Sequence, residues 1–474
     1  MDRLPWSMWH WMIVVGLGTV WILDGLQVNI VGAIAGALTD PKSGLALTTV
    51  QVGWAATYYI IGACIGALIF GRATDVFGRK KLFLVTLGVY LVGTVLTAVC
   101  MNPTWYFICR IITGAGIGGE YAAINSAIDE LIPARLRGTV DLAINGSFWI
   151  GTLFAALISV PLMNPHIFPI NVGWRVAFGS GAVFALVILL VRKNVPESPR
   201  WLFMHHKLDE AEAIVSNIER EIEKQTGKPL EPVDEYITVR HAESISFADI
   251  MRAMLFKYPS RTVLGLALFI GQAFLYNAVF FTFVMVLEKF FKVPGDTAPL
   301  FIIPLAVGNF LGPILLGPAF DRVGRKVMIS LSYIGSGALL IGTGLLFQAG
   351  VLNATTLTIC WCAVFFFASA GASAAYLTVS EIFPMETRAM AIAVYYAIGT
   401  LVGGGVGPVL FGALISSGQV SQIVSGYWLG AALMIAAGIV EIFLGVEAAG
   451  KSLEDIAPPL SEQHEDSTAP AAAA

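Results

Sequence analysis

Charge is what this sequence has least of. Asp, Glu, Lys and Arg make up 13% of its 474 residues, where soluble proteins average about 25%. So thin a supply cannot cover the surfaces of the two or three soluble domains that a chain of this length would form. Cysteine is scarce too: Cys64, Cys100, Cys109, Cys360 and Cys362 all lie in apolar stretches. None has metal-ligand or redox spacing, since Cys360 and Cys362 form C-x-C rather than C-x-x-C, and all five read as small packing residues. The apolar stretches hold no paired histidines, metal-spaced carboxylates or nucleophile elbow, which argues against an embedded enzyme. Gly114-x-Gly116-x-Gly118-Gly119 is no nucleotide fingerprint, because no strand precedes it and it lies inside an apolar run. A net charge of −4 singles out no partner; neither a cofactor nor a nucleic-acid partner is expected.

Hydrophobic residues are what the chain has in plenty, at 57% with a mean hydropathy of +0.77. They come in blocks of the length a membrane helix needs, about 20 residues. Candidates fall near 11–37, 50–70, 82–101, 104–127, 141–163, 174–192, 262–287, 299–317, 327–349, 356–379, 389–415 and 426–446. Pro161, Pro304 and Pro313 interrupt two of them, a break that neighbouring helices can satisfy. Forty-nine glycines allow close helix–helix approach. With the N-terminus inside, all but five of the 28 basic residues fall in cytoplasmic segments, the exceptions being Lys42, Arg110, Arg175, Lys289 and Lys292. That skew predicts a multi-pass protein of the plasma (inner) membrane with both termini cytoplasmic. The first apolar stretch is too long for a signal peptide and contains Asp24.

The expected organisation is a six-helix bundle over 1–192, a cytoplasmic linker over 193–260, a second six-helix bundle over 261–446 and a tail over 447–474. Within the linker, Leu208, Ala211, Ile214, Val215, Ile218 and Ile222 recur at helical spacing among many charges, which predicts an amphipathic helix. The tail after Lys451 ends in a polar, Ala/Pro-rich run that reads as disordered. The two halves repeat in sequence. Gly71-Arg-Ala-Thr-Asp75-Val-Phe-Gly78-Arg79-Lys80 returns as Gly317-Pro-Ala-Phe-Asp321-Arg-Val-Gly324-Arg325-Lys326, and Glu130-Leu-Ile-Pro133-Ala-Arg-Leu-Arg137 returns as Glu381-Ile-Phe-Pro384-Met-Glu-Thr-Arg388. The offsets, 246 and 251 residues, are nearly equal, and each repeat sits at the same place in its half. Parallel six-helix repeats place a solute site at their interface near the bilayer midplane.

These loops resemble the major facilitator superfamily, whose commonest signature is Gly-x-x-x-Asp-x-x-Gly-Arg-Lys. Arg110 with Gly114, Gly116 and Gly118, the Pro196-Glu197-Ser-Pro-Arg200-Trp201 run, Ser380-Glu381-Ile-Phe-Pro384 and Lys451-Ser-Leu-Glu454 resemble its sugar porter branch and the metabolite:proton symporters related to it. The resemblance covers nearly the whole chain. It implies an all-α membrane protein of twelve transmembrane helices in two pseudo-symmetric bundles. It also implies secondary active transport of a small organic solute by alternating access, through a protein expected to act as a monomer. Proton-coupled symport is the reading, with a uniporter or a proton-coupled antiporter as alternatives. A channel is disfavoured by the two-half repeat, and a transport-dead sensor by retention of both loop motifs.

The resemblance assigns an intracellular gate to Asp75, Arg79, Glu130, Arg137, Glu197, Arg200, Asp321, Arg325, Glu381 and Arg388, where carboxylate–guanidinium pairs lock helix ends; topogenic charge is the plainer alternative. Charges inside spans default to functional hypotheses. Asp24 and Arg110 match the proton-coupling pair of the family if they face one cavity, or form a static buried pair. Glu120, ten residues beyond Arg110, is placed to bind a cationic group, relay a proton, or pair with a gate arginine. For the solute, the resemblance points to Asn145, Gln272, Tyr276, Asn277, Phe281 and Tyr376, whose amides and rings suit hydroxyl, carboxyl and aromatic groups; each amide is equally able to make an interhelical hydrogen bond. The chain departs from sugar porters where Phe280 and Phe281 replace paired tyrosines and Thr152 replaces a glutamine. An organic acid or aromatic metabolite therefore fits at least as well as a sugar.

Overall fold

The computed structural model describes residues 2–164, 166–192, 196–227, 229–230, 232, 247–280, 282–294 and 297–460. Among them, twelve helices are long and apolar enough to cross a membrane. In chain order, spans one to six are Met8–Val31, Gln51–Thr74, Arg79–Ala98, Pro103–Leu131, Ala134–Leu162 and Ile170–Leu189; spans seven to twelve are Pro259–Phe291, Ile302–Arg322, Arg325–Gln348, Ala354–Ile382, Met385–Ser416 and Val420–Leu444. The prolines do not end the spans. Pro161 and Pro313 lie inside helices, and Pro313 packs into the place a side chain on Gly146 of span five would need. Spans four and ten reach several residues further than the apolar runs, to Leu131 and Ile382, because buried ion pairs continue the helices past the lipid-facing stretch.

Each half packs its own six spans, and spans two, four and five of the first meet spans eight, ten and eleven of the second. Spans two and eleven touch where Ala393 lies over Gly71, and spans five and eight where Gly317 lies against Thr139. Spans seven and eleven widen into π-helical turns at Leu275–Phe280 and Val402–Val406. Such turns shift helical register and are frequent at functional sites. The linker contains a short helix, Pro199–Met204, and the expected amphipathic one, Leu208–Thr226. The latter buries Ala211, Ile218 and Ile222, but Leu208 remains exposed. It is tied to the N-terminal segment by Arg3–Glu219 (2.5 Å) and by the Trp9 amide donating to Gln225 (3.2 Å). Much of the rest of the linker and the tail after residue 460 lies outside the described residues.

Glycine sets the tightest contact. Gly62 and Gly66 on span two face Ile111 and Ala115 on span four, while Gly114 and Gly118 on span four face Tyr59 and Ala63 on span two. At all four a Cβ would run into the opposite backbone carbonyl, so the Gly-rich string of span four is a packing device of the small-residue kind. Forcing extra carbon into such a contact costs about 1–3 kcal/mol or more. Gly118→Ala should lower the melting temperature of detergent-purified protein by several degrees. Gly88→Ala, where a Cβ meets nothing within 4 Å, should leave it unchanged in the same assay.

Candidate functional site

At the end of the bundle where Asp2 and the C-terminal segment meet, the loop motifs assemble into one buried charge network. In the first half Arg79 donates to Glu130 (2.7 Å) and to the Ser126 carbonyl (2.9 Å), and Ser198 donates to the other Glu130 oxygen. In the second half Arg325 grips Glu381 through two bonds (3.0 and 3.1 Å) and adds Asp321 (2.8 Å). The outer arginines cross over. Arg137 of span five reaches Glu381 (3.5 Å), and Arg388 of span eleven reaches Glu130 (3.9 Å). Each glutamate thus takes one arginine from its own half and one from the other. Asp321 adds a further cross-half tie, accepting from the Gly138 and Thr139 amides (2.9 and 2.7 Å) at the start of the span-five helix, where a carboxylate also suits the helix dipole.

Glu197 and Arg200 sit at the rim of this network. Glu197 accepts from the Arg79 and Lys80 amides (2.9 and 3.2 Å), beside Gly78 at φ 88°. Glu447 does the same for Arg325 and Lys326 (2.9 and 3.3 Å), beside Gly324 at φ 116°. In both loops a side chain on the glycine would be strained by the positive φ and would strike the capping carboxylate. Arg200 pairs with Glu454 (2.9 Å); burial opposes the Glu454 charge, yet Arg200 holds its carboxyl below the ordinary range. The side chain of Asp75 lies outside the described residues. Sequence reasoning missed Glu447, Asp141 and Asp129, the last of which lies 3.9 Å from both Arg137 and Arg388. The available signal for the two aspartates was spacing, since Tyr121, Asn125 and Asp129 on span four, and Arg137, Asp141 and Asn145 on span five, each recur every four residues along one helix face.

Deeper in the first half, Asp24 is fully buried. It does not pair directly with Arg110. Tyr59 of span two stands between them, donating its hydroxyl to Asp24 (2.7 Å) and turning its ring to the Arg110 guanidinium (4.5 Å). A tyrosine satisfies an acid on one side and a cation on the other, a bridge that no spacing within span one or span four reveals. Tyr121 donates to the second Asp24 oxygen. Glu120 is also buried and accepts from Thr86 of span three (3.3 Å).

The residues singled out for solute recognition fall on several surfaces. Tyr376 joins an aromatic box with Trp21, Tyr121 and Tyr396. Trp21 stacks on Tyr121 (4.8 Å) and meets Tyr376 edge-on (5.5 Å), and Tyr396 meets Tyr121 edge-on (4.8 Å). Tyr276 donates to Asn309 (2.7 Å) and packs with Trp149, Phe280 and Phe365. Asn277 donates to the Ala273 carbonyl (2.8 Å), and Asn145 to Asn125 (3.1 Å) and the Asp141 carbonyl (2.9 Å). Gln272 is half-buried on span seven, and Phe281 lies outside the described residues. Trp21, Tyr121 and Tyr396 escaped the sequence reading, although Trp21 lies one turn before Asp24.

A two-half bundle of twelve spans with this crossed charge network defines a transporter rather than an enzyme. Residues 32–459 match the family described as "Sugar (and other) transporter", and the chain belongs to that family, within the major facilitator superfamily. It is similar to the niacin transporter NiaP of Acinetobacter baylyi, with 28% identity over 460 residues, 96% of this chain and 98% of that one. It is also similar to the D-xylose transporter of Levilactobacillus brevis, with 25% identity over 364 residues, 76% and 77% of the two chains. Among solved structures, the proton:xylose symporter XylE bound to 6-bromo-6-deoxy-D-glucose superposes with a TM-score of 0.78 at 20% identity, over 94% of this chain and 98% of that one.

Removing one partner of a buried, crossed pair leaves a charge uncompensated, at a cost of about 3–5 kcal/mol. Arg325→Ala strips Glu381 of its bidentate partner and Asp321 of its cation. Hydrogen–deuterium exchange over 134–146 should rise well above wild type, whereas Lys207→Ala, whose partner Glu210 is exposed, should leave that segment unchanged.

Proposed function

We propose that this transporter is a proton-coupled symporter for a small, flat aromatic solute, with an aromatic acid as its best candidate. We place it in the plasma (inner) membrane with both termini cytoplasmic, so that the crossed charge network is its intracellular gate. The observation that carries this reading is the aromatic box of Trp21, Tyr121, Tyr376 and Tyr396 built directly onto Asp24. Aromatic contacts add about 0.5–1.5 kcal/mol per pair beyond the area they bury, and four rings in one place favour a ring-bearing solute. The amides that would read hexose hydroxyls are largely engaged, Asn145 with Asn125, and Asn277 with a backbone carbonyl. The relative named as a niacin transporter matches nearly end to end, and niacin is a flat aromatic acid.

The box draws on spans one and four in one half and spans ten and eleven in the other, so a solute held there touches both halves, as alternating access requires. Tyr121 is both a wall of the box and a donor to Asp24. A solute that shifts Tyr121 takes a hydrogen bond from the Asp24 carboxylate and lowers the cost of protonating it. Protonation in turn removes the charge that Tyr59 and Arg110 are arranged around.

Two measurements test the reading. Asp24→Asn in proteoliposomes should abolish accumulation driven by a proton gradient and retain counterflow exchange; full accumulation by this variant would sink the coupling assignment. In a thermal-shift screen of purified protein, niacin and related aromatic acids should raise the melting temperature, a ligand at a hundred times its Kd contributing about 2.7 kcal/mol. A large shift with glucose or xylose and none with any aromatic acid would overturn the solute class.

A further inference from the structure

Asp141 is the carboxylate that the gate does not neutralise. It lies on span five, one turn beyond Arg137, and is fully buried. Neither of its side-chain oxygens meets a hydrogen-bond donor. Asn145, one turn further on, directs its amide to the Asp141 carbonyl and to Asn125. The charged groups facing Asp141 are Asp129 from span four, Glu381 from span ten and Arg325 from the start of span nine. Every arginine nearby is engaged elsewhere. Arg325 holds Glu381 and Asp321, Arg137 holds Glu381 and lies by Asp129 and Asp2, and Arg388 lies between Asp129 and Glu130. Glu130 is taken by Arg79, and Asp321 by span-five amides as well. Among the described residues of this cluster, Asp129, Glu130, Asp321 and Glu381 each form an ion pair with an arginine, and Asp141 forms none.

An ionised carboxylate with no hydrogen-bond donor and no ion-pair partner, set beside two further acids, is among the most expensive arrangements a buried site can hold. The neutral acid fits the same place without that cost. Position adds a second argument. Asn145 donates to Asn125, Asn125 donates to the Tyr121 carbonyl (2.8 Å), and the Tyr121 hydroxyl donates to Asp24. Polar side chains at Asn145, Asn125 and Tyr121 thus line the stretch between Asp141 and Asp24 on spans four and five.

We propose that Asp141 is a second proton-binding site of this transporter. It sits as the neutral acid while the gate is closed, and when the gate opens its O–H proton passes to water on that side, leaving the carboxylate hydrated. The gate is then a proton-sensitive latch: low pH on its own side favours closure, and high pH favours opening. This rests on the gating role of the charge network and is independent of whether Asp24 couples transport to protons.

The test uses the full-length purified protein without solute. As pH rises from about 5 to about 9, hydrogen–deuterium exchange over 134–146, corrected for its intrinsic pH dependence, should increase in the wild type. Asp141→Asn, which keeps the neutral shape, should hold its protection across that range and gain several degrees in melting temperature over the wild type at the alkaline end. Wild-type exchange that does not change with pH would overturn the proposal without recourse to any variant, as would superimposable pH profiles for wild type and Asp141→Asn. Asp24→Asn should preserve the wild-type pH dependence of this segment, so a failure of the Asp24 coupling assignment is distinguishable from a failure of this one.

Discussion

The exchange of arginines between the halves is the interaction on which the rest depends. Glu130 and Glu381 are almost completely buried, and a carboxylate out of water is tolerated only when its partners are in place. Because Arg388 and Arg137 come from the opposite halves, neither glutamate is fully compensated unless the halves meet at this end. Separating them would expose these acids and arginines together, and water must then do what the crossed pairs did. The two arrangements, paired and dry or separated and wet, are discrete, because a half-open gate would offer neither the partner nor the solvent. That is the condition for a two-state element rather than a continuously deformable one.

The repeat is used in two ways. Where it is kept, it builds the gate: Glu197 and Glu447 cap the same two amides in equivalent loops, and Arg79–Glu130 is mirrored by Arg325–Glu381. Where it is broken, it builds specificity. The first half carries the buried acids Asp24 and Glu120 with Arg110, and the second carries Gln272, Tyr276, Asn277 and Tyr376. The aromatic box lies on the seam, taking two rings from each side.

Spans, the two-half repeat and the paired arginines of the charge network were legible in the sequence because each is written locally: a run of apolar residues, a loop motif, its repeat at a near-constant offset. What escaped depends on register between helices far apart in the chain. Tyr59 belongs to span two, yet it decides how Asp24 of span one and Arg110 of span four relate. Asp129 looked like one more acid beside Glu130 until Arg137 and Arg388 converged on it. Trp21, Tyr121 and Tyr396 are ordinary apolar-span residues taken singly and become a box only when four spans are packed. Pro313 reads as a break, but in the bundle it fills the space over Gly146 of the opposite half.

Span four brings these elements together. Tyr121 contributes a ring to the box, a hydroxyl to Asp24 and a carbonyl to Asn125. Two further helical turns lead through Asn125 to Asp129 and the gate arginines. Glycines at 114 and 118 hold the same helix hard against span two, which carries Tyr59. A displacement of span four at the box therefore cannot be absorbed by loose packing around it. It has to change the hydrogen bonds on Asp24, the alignment of Asp129 with Arg137 and Arg388, or both. On the proposed function, solute, coupling acid and gate share one rigid body, and the coupling free energy between them follows from the difference in these few polar contacts between the two states of the gate.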